Sequence, residues 1–298
     1  MGRLWRAAEY RLVSLDSSII GVADETMRVR IEAERLQSFA EAIGETRELY
    51  LDRSAARAAG YPDIPVPPTF HFSIGLERNR PFGMLEDRGI DMRRLLHAEQ
   101  SFLFRRLAFA GEEVSVARRV SDYFEKKAGA LRFAVIETDI RNASGEQISV
   151  GREVLVLPHK APSGGSREHH PVLSLSVGRE PLGPLYPGTV TREMLARFGA
   201  ASGDLNRIHL DPTAARIAGY DNIFAHGMLC MAWLGRLLTN HFRQESVRDF
   251  SVRFRALTPV GASPVCDGHL DESGGKADLR IHLDDRVVTL TGSATIAV

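Results

Sequence analysis

The chain has 298 residues, and 38 lysines and arginines balance 38 aspartates and glutamates, so its formal net charge is zero. A neutral chain lacks the positive field of a nucleic-acid-binding protein, and no apolar run approaches the ~18 residues that a membrane helix needs. Two cysteines, Cys230 and Cys266, cannot form a disulfide framework. We therefore expect a cytoplasmic protein that binds neither nucleic acid nor membrane.

An internal repeat organises the chain. Residues 39–64 and 198–223 align without a gap at an offset of 159, with 12 identities in 26 positions. The length also suggests about two domains, at roughly 150 residues each. Residues 158–171 combine proline, glycine, serine and charge, a composition typical of a linker. The pattern predicts a duplicated domain, with one copy over residues 1–157 and the other over 172–298.

Both halves show the same order of predicted elements. In the first half, residues 29–45 predict a short strand and a helix, and a second short helix ends at Gly60. A central helix containing residues 69–74 follows, and then strands at 101–109, 113–126, 130–142 and 147–157. Helices followed by a run of strands favour an α+β fold over a parallel sheet.

The second half repeats this order. Thr191 is the predicted N-cap of a helix that stops at Gly203, and a short helix ends at Gly219. An apolar helix at 226–240 precedes strands at 250–257, 264–272, 277–285 and 287–298. Turn sequences between the strands predict hairpins. Each half is therefore expected to wrap an antiparallel sheet around its central apolar helix.

The two copies differ in three polar residues. The second copy has Asp204, Asn206 and His209 in a loop between two helices. Their counterparts in the first copy are Glu45, Arg47 and Tyr50. A carboxylate and an imidazole suit paired proton transfer, or could hold one water molecule. Taken singly, the aspartate could cap a turn and the histidine could be a core residue, but their joint loss from one copy favours a functional role.

The start of the second apolar helix carries another candidate group. Helix N-termini present unpaired N–H groups, and Gly227 would let a substrate oxygen approach the backbone closely. The corresponding residue of the first copy is Pro68, which has no N–H to donate. Gly227 could alternatively serve only helix packing. The pattern predicts one oxyanion site, in the second half.

These motifs, SGDLNRIHLD (202–211) and AHGM (225–228), resemble the signature of the MaoC-like hydratases and dehydratases, which include the (R)-specific enoyl-CoA hydratases and have the hotdog fold. The first half resembles the degenerate N-terminal hotdog of the two-domain members, through residues 65–72 and 96–114. The resemblance implies a double hotdog. It also implies a hydro-lyase that adds water reversibly to trans-2-enoyl thioesters and forms (R)-3-hydroxyacyl thioesters, without a cofactor or metal.

The resemblance also assigns roles to residues. Asp204 and His209 become the catalytic pair, Gly227 donates to the thioester oxygen, and Asn206 positions the pair. Five further residues are expected at the substrate: Ser202, His226, Met228, Phe70 and Arg207. Arg207 replaces the proline that is usual in the family, so it would either contact a phosphate of the substrate carrier or be solvated. We expect His71 and His97 to be structural.

The expected substrate is a thioester of CoA or of acyl carrier protein, and the degenerate half would accommodate its acyl chain. A monomer and a homodimer of double hotdogs both fit the sequence. Two other functions stay open: a hotdog thioesterase, and an acyl-CoA-binding protein without catalytic activity.

Overall fold

The computed structural model describes residues 16–90, 95–157, 180–284 and 287–297. The predicted linker at 158–171 lies outside the described residues, so the domain bounds stay a prediction. No helix in the described ranges is both long enough and apolar enough to cross a membrane.

The first half begins with strand β1 (Met27–Arg30), then helices α1 (Ala33–Ala42) and α2 (Arg53–Ala58). Two short helices follow, α3 (Phe70–Gly75) and α4 (Gly83–Glu86). The half ends in strands β2 (Leu96–Phe104), β3 (Glu113–Lys126), β4 (Leu131–Asn142) and β5 (Gln147–Leu157).

The second half repeats the plan with a longer central helix. Its elements are β6 (Glu180–Leu185), α5 (Arg192–Ser202), α6 (Pro212–Ile217), α7 (Gly227–His241), β7 (Val247–Phe254), β8 (Val265–Leu270), β9 (Lys276–Leu283) and β10 (Val287–Ile296). The strand β6 is absent from the sequence prediction, because the segment Glu180–Leu185 contains two prolines and a glycine, which disfavour a strand.

The ten strands form one antiparallel sheet in the order β1-β3-β4-β5-β2-β7-β10-β9-β8-β6. Five strands come from each half, and the halves join where β2 pairs with β7, from Glu99 opposite Arg253 to Leu103 opposite Asp249. The α+β fold, with two antiparallel hotdogs around central helices, is therefore confirmed.

The helix α7 is the core of the second half, and residues 228–239 on it are all buried. Apart from Arg236 and Thr239 these residues are apolar, because the curved sheet covers the helix on one side and the first half on the other. At Gly235, an added Cβ would lie 3.6 Å from Thr69 Cγ2 and 3.7 Å from Phe250 Cε1. Both distances are ordinary van der Waals contacts, so α7 is packed between the two halves at this position.

The central helix of the first half is much shorter than α7. α3 is buried along its whole length, from Phe70 to Gly75. It ends there because the next residues, Glu77 to Pro81, are mostly charged or polar and finish in a proline, which cannot continue a buried helix. The chain turns and forms α4 instead, and this leaves space beside the first residues of α7.

Candidate active site

Helix α5 ends at Ser202, two residues before Asp204. Its N-cap is Thr191, whose hydroxyl accepts a hydrogen bond from Met194 N at 3.1 Å. Its C-cap is Gly203, with φ of +80°, a left-handed conformation that glycine adopts without steric cost. Both ends agree with the sequence prediction. The sharp turn at Gly203 directs the following loop away from the helix axis.

Hydrogen bonds between residues close in the sequence hold the loop that carries Asp204. Its backbone N–H donates to Ser202 Oγ at 3.2 Å, and its Oδ1 accepts from Asn206 N at 3.2 Å. The side chain of Asn206 accepts from Ile208 N at 3.3 Å and caps the 3-10 helix Arg207–His209. Asn206 thus holds the backbone between the two candidate catalytic residues.

His209 has a defined tautomer. Its Nδ1 lies 2.9 Å from the carbonyl oxygen of Phe224. Because a carbonyl oxygen only accepts, Nδ1 carries the hydrogen and Nε2 is left with a free lone pair. Burial lowers the pKa of His209, and the nearby carboxylate of Asp204 acts in the opposite direction. The ring is therefore neutral at neutral pH, with Nε2 as a proton acceptor.

Gly227 is the first residue of α7, so its N–H has no partner within the helix. A Cβ at this position would lie 2.8 Å from Cε1 of Phe254, well inside van der Waals contact. The aromatic ring packs against the glycine backbone from the side of β7. Gly227 can therefore present its N–H at the positive end of the helix dipole.

These groups surround a cavity of about 790 Å³ between the two halves. The second half contributes Asp204, Asn206, His209 and Gly227 to its wall. The first half contributes mainly apolar side chains, among them Phe72, Leu76, Phe82, Leu95, Leu96 and Leu155. The described residues contain no group of three or more histidines, cysteines or acidic residues arranged to hold a metal ion.

The five residues expected at the substrate lie in different places. Met228 and Arg207 line the cavity, and Arg207 is exposed at its rim, where it forms an ion pair with Asp211. Ser202 and His226 are fully buried behind the loop and do not form part of the wall. Both contact Asp204 through its backbone.

Phe70 is also not part of the cavity wall. It is buried against Phe39, with ring centroids 5.1 Å apart in an edge-to-face arrangement. The next turn of α3 and the residue after it supply the wall instead, through Phe72 and Leu76. The structure therefore places Phe70 outside the cavity wall, which the sequence could not indicate because the rotation of a short apolar helix leaves no periodic pattern.

Two cavity residues were not identified from the sequence as part of the site. His97 lies on β2, with its ring centroid 5.0 Å from that of Phe254. Both rings line the cavity. Burial lowers the pKa of His97, while the carboxylates of Glu153 and Asp204 oppose this shift. No signal in the sequence indicated that β2 would face the second half, because that contact depends on the pairing of β2 with β7.

The position in the first half that corresponds to the cavity is filled by side chains. Arg47 pairs with Glu45, with Nη2 and Oε2 3.0 Å apart, and also donates to the carbonyl and hydroxyl oxygens of Thr239 on α7. Tyr50 donates to Gln244 Oε1 at 2.5 Å. Only about 10 Å³ of free space is left there. The side chains that replaced the polar trio thus occupy the space that the cavity has in the second half.

Comparisons with known proteins agree with this architecture. A family model for the FAS1-like dehydratase domain region matches residues 18–150, and one for the MaoC-like domain matches residues 176–268. A UPF0336 protein from Saccharopolyspora erythraea is 32% identical over 143 residues, 48% of this chain and 90% of the relative. A UPF0336 protein from Streptomyces griseus is 30% identical over 145 residues, 48% of this chain and 95% of the relative.

Solved structures show the same fold at low identity. A MaoC-like dehydratase superposes with a TM-score of 0.76 and 18% identity, over 94% of this chain and 99% of the other. A MaoC-like dehydratase from Phytophthora capsici gives 0.75 and 17%, over 95% and 98%. A Mycobacterium tuberculosis protein described as a double hotdog gives 0.60 and 14%, over 93% and 96%.

The chain therefore belongs to the MaoC-like dehydratases, in the double hotdog form, and shares a family with the UPF0336 proteins. Dehydratases are hydro-lyases, and this is the class of enzyme to which the two family models assign the chain.

Proposed function

We propose that this enzyme adds water reversibly to trans-2-enoyl thioesters of CoA or acyl carrier protein and forms (R)-3-hydroxyacyl thioesters. The observation that carries the proposal is the fixed tautomer of His209. With Nδ1 bonded to Phe224 O at 2.9 Å, Nε2 is a proton acceptor on the wall that also holds Asp204 and Gly227. The (R) configuration rests on the resemblance to the (R)-specific hydratases.

In the proposed reaction, a water molecule lies between the Asp204 carboxylate and His209 Nε2. The carboxylate accepts one O–H of the water and orients it, and Nε2 takes the other proton as the oxygen attacks C3. The new C3–O bond forms while the C2–C3 double-bond electrons move toward the thioester carbonyl. The proton is then delivered to C2, which restores neutral His209 and completes the addition of one water. General acid–base groups placed in this way contribute about 10²–10⁴ in rate.

The backbone N–H of Gly227 stabilises the intermediate. Negative charge develops on the thioester oxygen as C3 is attacked, and an N–H at a helix N-terminus stabilises that charge most in the transition state. Phe254 packs against Gly227 and keeps the start of α7 in place. The oxygen therefore binds opposite the Asp204–His209 pair, with the double bond between them.

The shape of the cavity suggests where the acyl group and the carrier of the substrate would bind. The acyl group would lie against the apolar wall that the first half supplies, while the carrier would leave past the exposed side chain of Arg207. Since Arg207 is already paired with Asp211, we propose that it is mainly solvated. Both cysteines are free and buried, and we propose a reducing cytoplasmic location.

The test is incubation with crotonyl-CoA. We expect the enoyl absorbance to fall without release of free thiol, and we expect Asp204→Asn and His209→Ala each to lose about 10²–10⁴ in kcat. Tyr50→Phe is the matched control, because Tyr50 occupies the position of His209 in the first half, and its kcat should stay within about threefold of wild type.

Release of free thiol would identify a thioesterase and refute the proposal. Tight binding of crotonyl-CoA without turnover would identify a binding protein. Near wild-type turnover by either catalytic variant would refute the assignment of the pair.

A further inference from the structure

His226 contacts both proposed catalytic residues from behind. It is the N-cap residue of α7 and has no exposed surface. Its Nε2 lies 3.1 Å from the backbone oxygen of Asp204. Its ring centroid lies 4.2 Å from that of His209, with 33° between the planes. His226 does not line the cavity, so it reaches the reaction only through its neighbours.

The hydrogen bond fixes the tautomer of His226. The backbone oxygen of Asp204 can only accept, so Nε2 carries the hydrogen, and Nδ1 is buried without a partner in the described ranges. Burial, with a smaller contribution from His209, lowers the pKa of His226 to about 3. The ring therefore stays neutral and takes no part in proton transfer at neutral pH.

We propose that His226 is a positioning residue that ties the Asp204 loop to the start of α7. One side chain then links three groups: the backbone of Asp204, the His209 ring, and Gly227, its neighbour in the chain. A displacement of about 1 Å in such an arrangement can cost up to 10²-fold in rate. The inference rests on the proposed function, because it assigns a role relative to that catalytic pair.

The position of Asp204 also sets the protonation of His209. Burial lowers the pKa of His209, and the Asp204 carboxylate raises it again. The other ionisable group in direct contact with the ring is His226, which is neutral. If Asp204 moves away, the pKa of His209 falls. Because the base must be unprotonated, the acid limb of kcat/KM then shifts to lower pH.

The experiment compares His226→Phe with His226→Gln. Phenylalanine keeps an aromatic ring against His209 and removes the donor, whereas glutamine keeps an N–H donor. We expect His226→Phe to lower kcat about 10- to 100-fold with KM within about threefold, and to shift the acid limb to lower pH. His226→Gln should restore kcat to within about fivefold of wild type. His226→Leu, which also has no donor, is the second donor-deficient variant should His226→Phe not fold.

The matched control is His71→Phe. His71 is also a buried neutral histidine, bonded to Ser149 at 2.8 Å in the first half, and it does not touch the loop of Asp204. His71→Phe should reduce stability without moving the acid limb. Equal losses of kcat in His226→Phe and His71→Phe, with both limbs unmoved, would show a purely structural role and overturn the inference.

NMR titration of the His209 ring without substrate gives a readout that is independent of activity. The inference requires a lower pKa for His209 in His226→Phe than in wild type or His71→Phe. An unchanged pKa would refute it. If wild type fails to hydrate crotonyl-CoA, the proposed function is wrong, while the titration still decides whether His226 holds Asp204.

Discussion

At the scale of single residues, the chemistry of the cavity depends on which atoms are already engaged. His209 uses Nδ1 for a backbone carbonyl, which leaves the lone pair of Nε2 available for the proposed reaction. Asp204 uses Oδ1 for the N–H of Asn206. Gly227 has no helical partner for its N–H. In the proposed reaction, the bonds already formed by His209 and Asp204 therefore determine which of their atoms can meet the substrate.

Substitution of Gly227 tests the close packing at the oxyanion site. An alanine Cβ would lie 2.8 Å from Phe254 Cε1, so either the ring or the start of α7 must move. Overpacking of this kind costs about 1–3 kcal/mol in the free energy of unfolding. We expect Gly227→Ala to lower kcat about 10²-fold, the effect of displacing one oxyanion donor.

The double variant Gly227→Ala/Phe254→Leu tests whether the clash between the alanine Cβ and the Phe254 ring causes the loss of kcat. Phe254→Leu alone is the control. Relief of the contact should restore kcat by about tenfold over Gly227→Ala. If the double variant is no more active than Gly227→Ala, displacement by the Phe254 ring is not the cause.

At the scale of secondary structure elements, the site lies at junctions rather than within helices or strands. α5 ends at Ser202 with Gly203 as its C-cap, the loop and its 3-10 helix carry Asp204 and His209, and α7 begins at Gly227. The carbonyl of Phe224, just before α7, orients His209. Three helix ends thus meet at one wall, and their rigid hydrogen bonds place the catalytic loop.

Gly203, the C-cap of α5, most directly positions the loop that begins with Asp204. Its φ of +80° is unfavourable for any residue with a Cβ, and Gly60 in the first half has φ of +91° at a helix end with open space around it. Replacing either glycine by alanine should cost about 1 kcal/mol of stability. We expect only Gly203→Ala to lose activity, by about tenfold or more, because Asp204 follows directly.

The measurement pairs kcat on crotonyl-CoA with the denaturation midpoint of both variants. Similar midpoints with unequal activities would support the positioning role of the turn. Equal activities would show that the backbone strain at Gly203 is relaxed without moving Asp204.

At the scale of the whole molecule, duplication made one functional cavity out of two equivalent positions. The first half ends its central helix after six residues and so opens space for the cavity. The second half extends α7 over 15 residues, and its Thr239 meets Arg47 at the filled position. The first half therefore supplies space for the cavity, and α7 of the second half packs against the filled position of the first. The β2–β7 pairing holds the two halves in one sheet.

Buried neutral histidines make the stability of the whole fold depend on pH. Burial lowers the pKa of His71 to about 4 and that of His226 to about 3, against about 6.5 in the unfolded chain. Below pH 6.5 the unfolded chain binds protons that the folded protein does not bind. The free energy of unfolding should therefore be highest above pH 6.5 and fall as pH decreases toward these lowered values.

Denaturant titrations between pH 7.5 and pH 5 check this dependence. One proton per histidine gives a slope of up to about 1.4 kcal/mol per pH unit, so His71→Phe should flatten the curve by about that amount. An unchanged slope in His71→Phe would show that this histidine is protonated in the folded protein.

The sequence by itself determined a duplicated α+β domain, most of the order of the elements and the loop that carries Asp204, Asn206 and His209. It could do so because the repeat aligns the halves without a gap, and because helix ends at Thr191 and Gly203 depend on local backbone chemistry. The family resemblance added the double hotdog and the reaction on enoyl thioesters, and it agreed with the candidate roles that the residues had already suggested for Gly227 and the Asp204–His209 pair.

Only the tertiary structure decided what depends on contacts between distant segments. The tautomer of His209 depends on the carbonyl of Phe224, and the burial of His226 behind Asp204 depends on how α7 packs. The rotation of a uniformly apolar helix and the pairing of β2 with β7 leave no periodic signal in the sequence. Only the structure therefore places Phe70 outside the cavity wall and His97 on it. Helix ends and turns depend on residues close in the sequence, whereas the shape of the cavity depends on packing between the two halves of the chain.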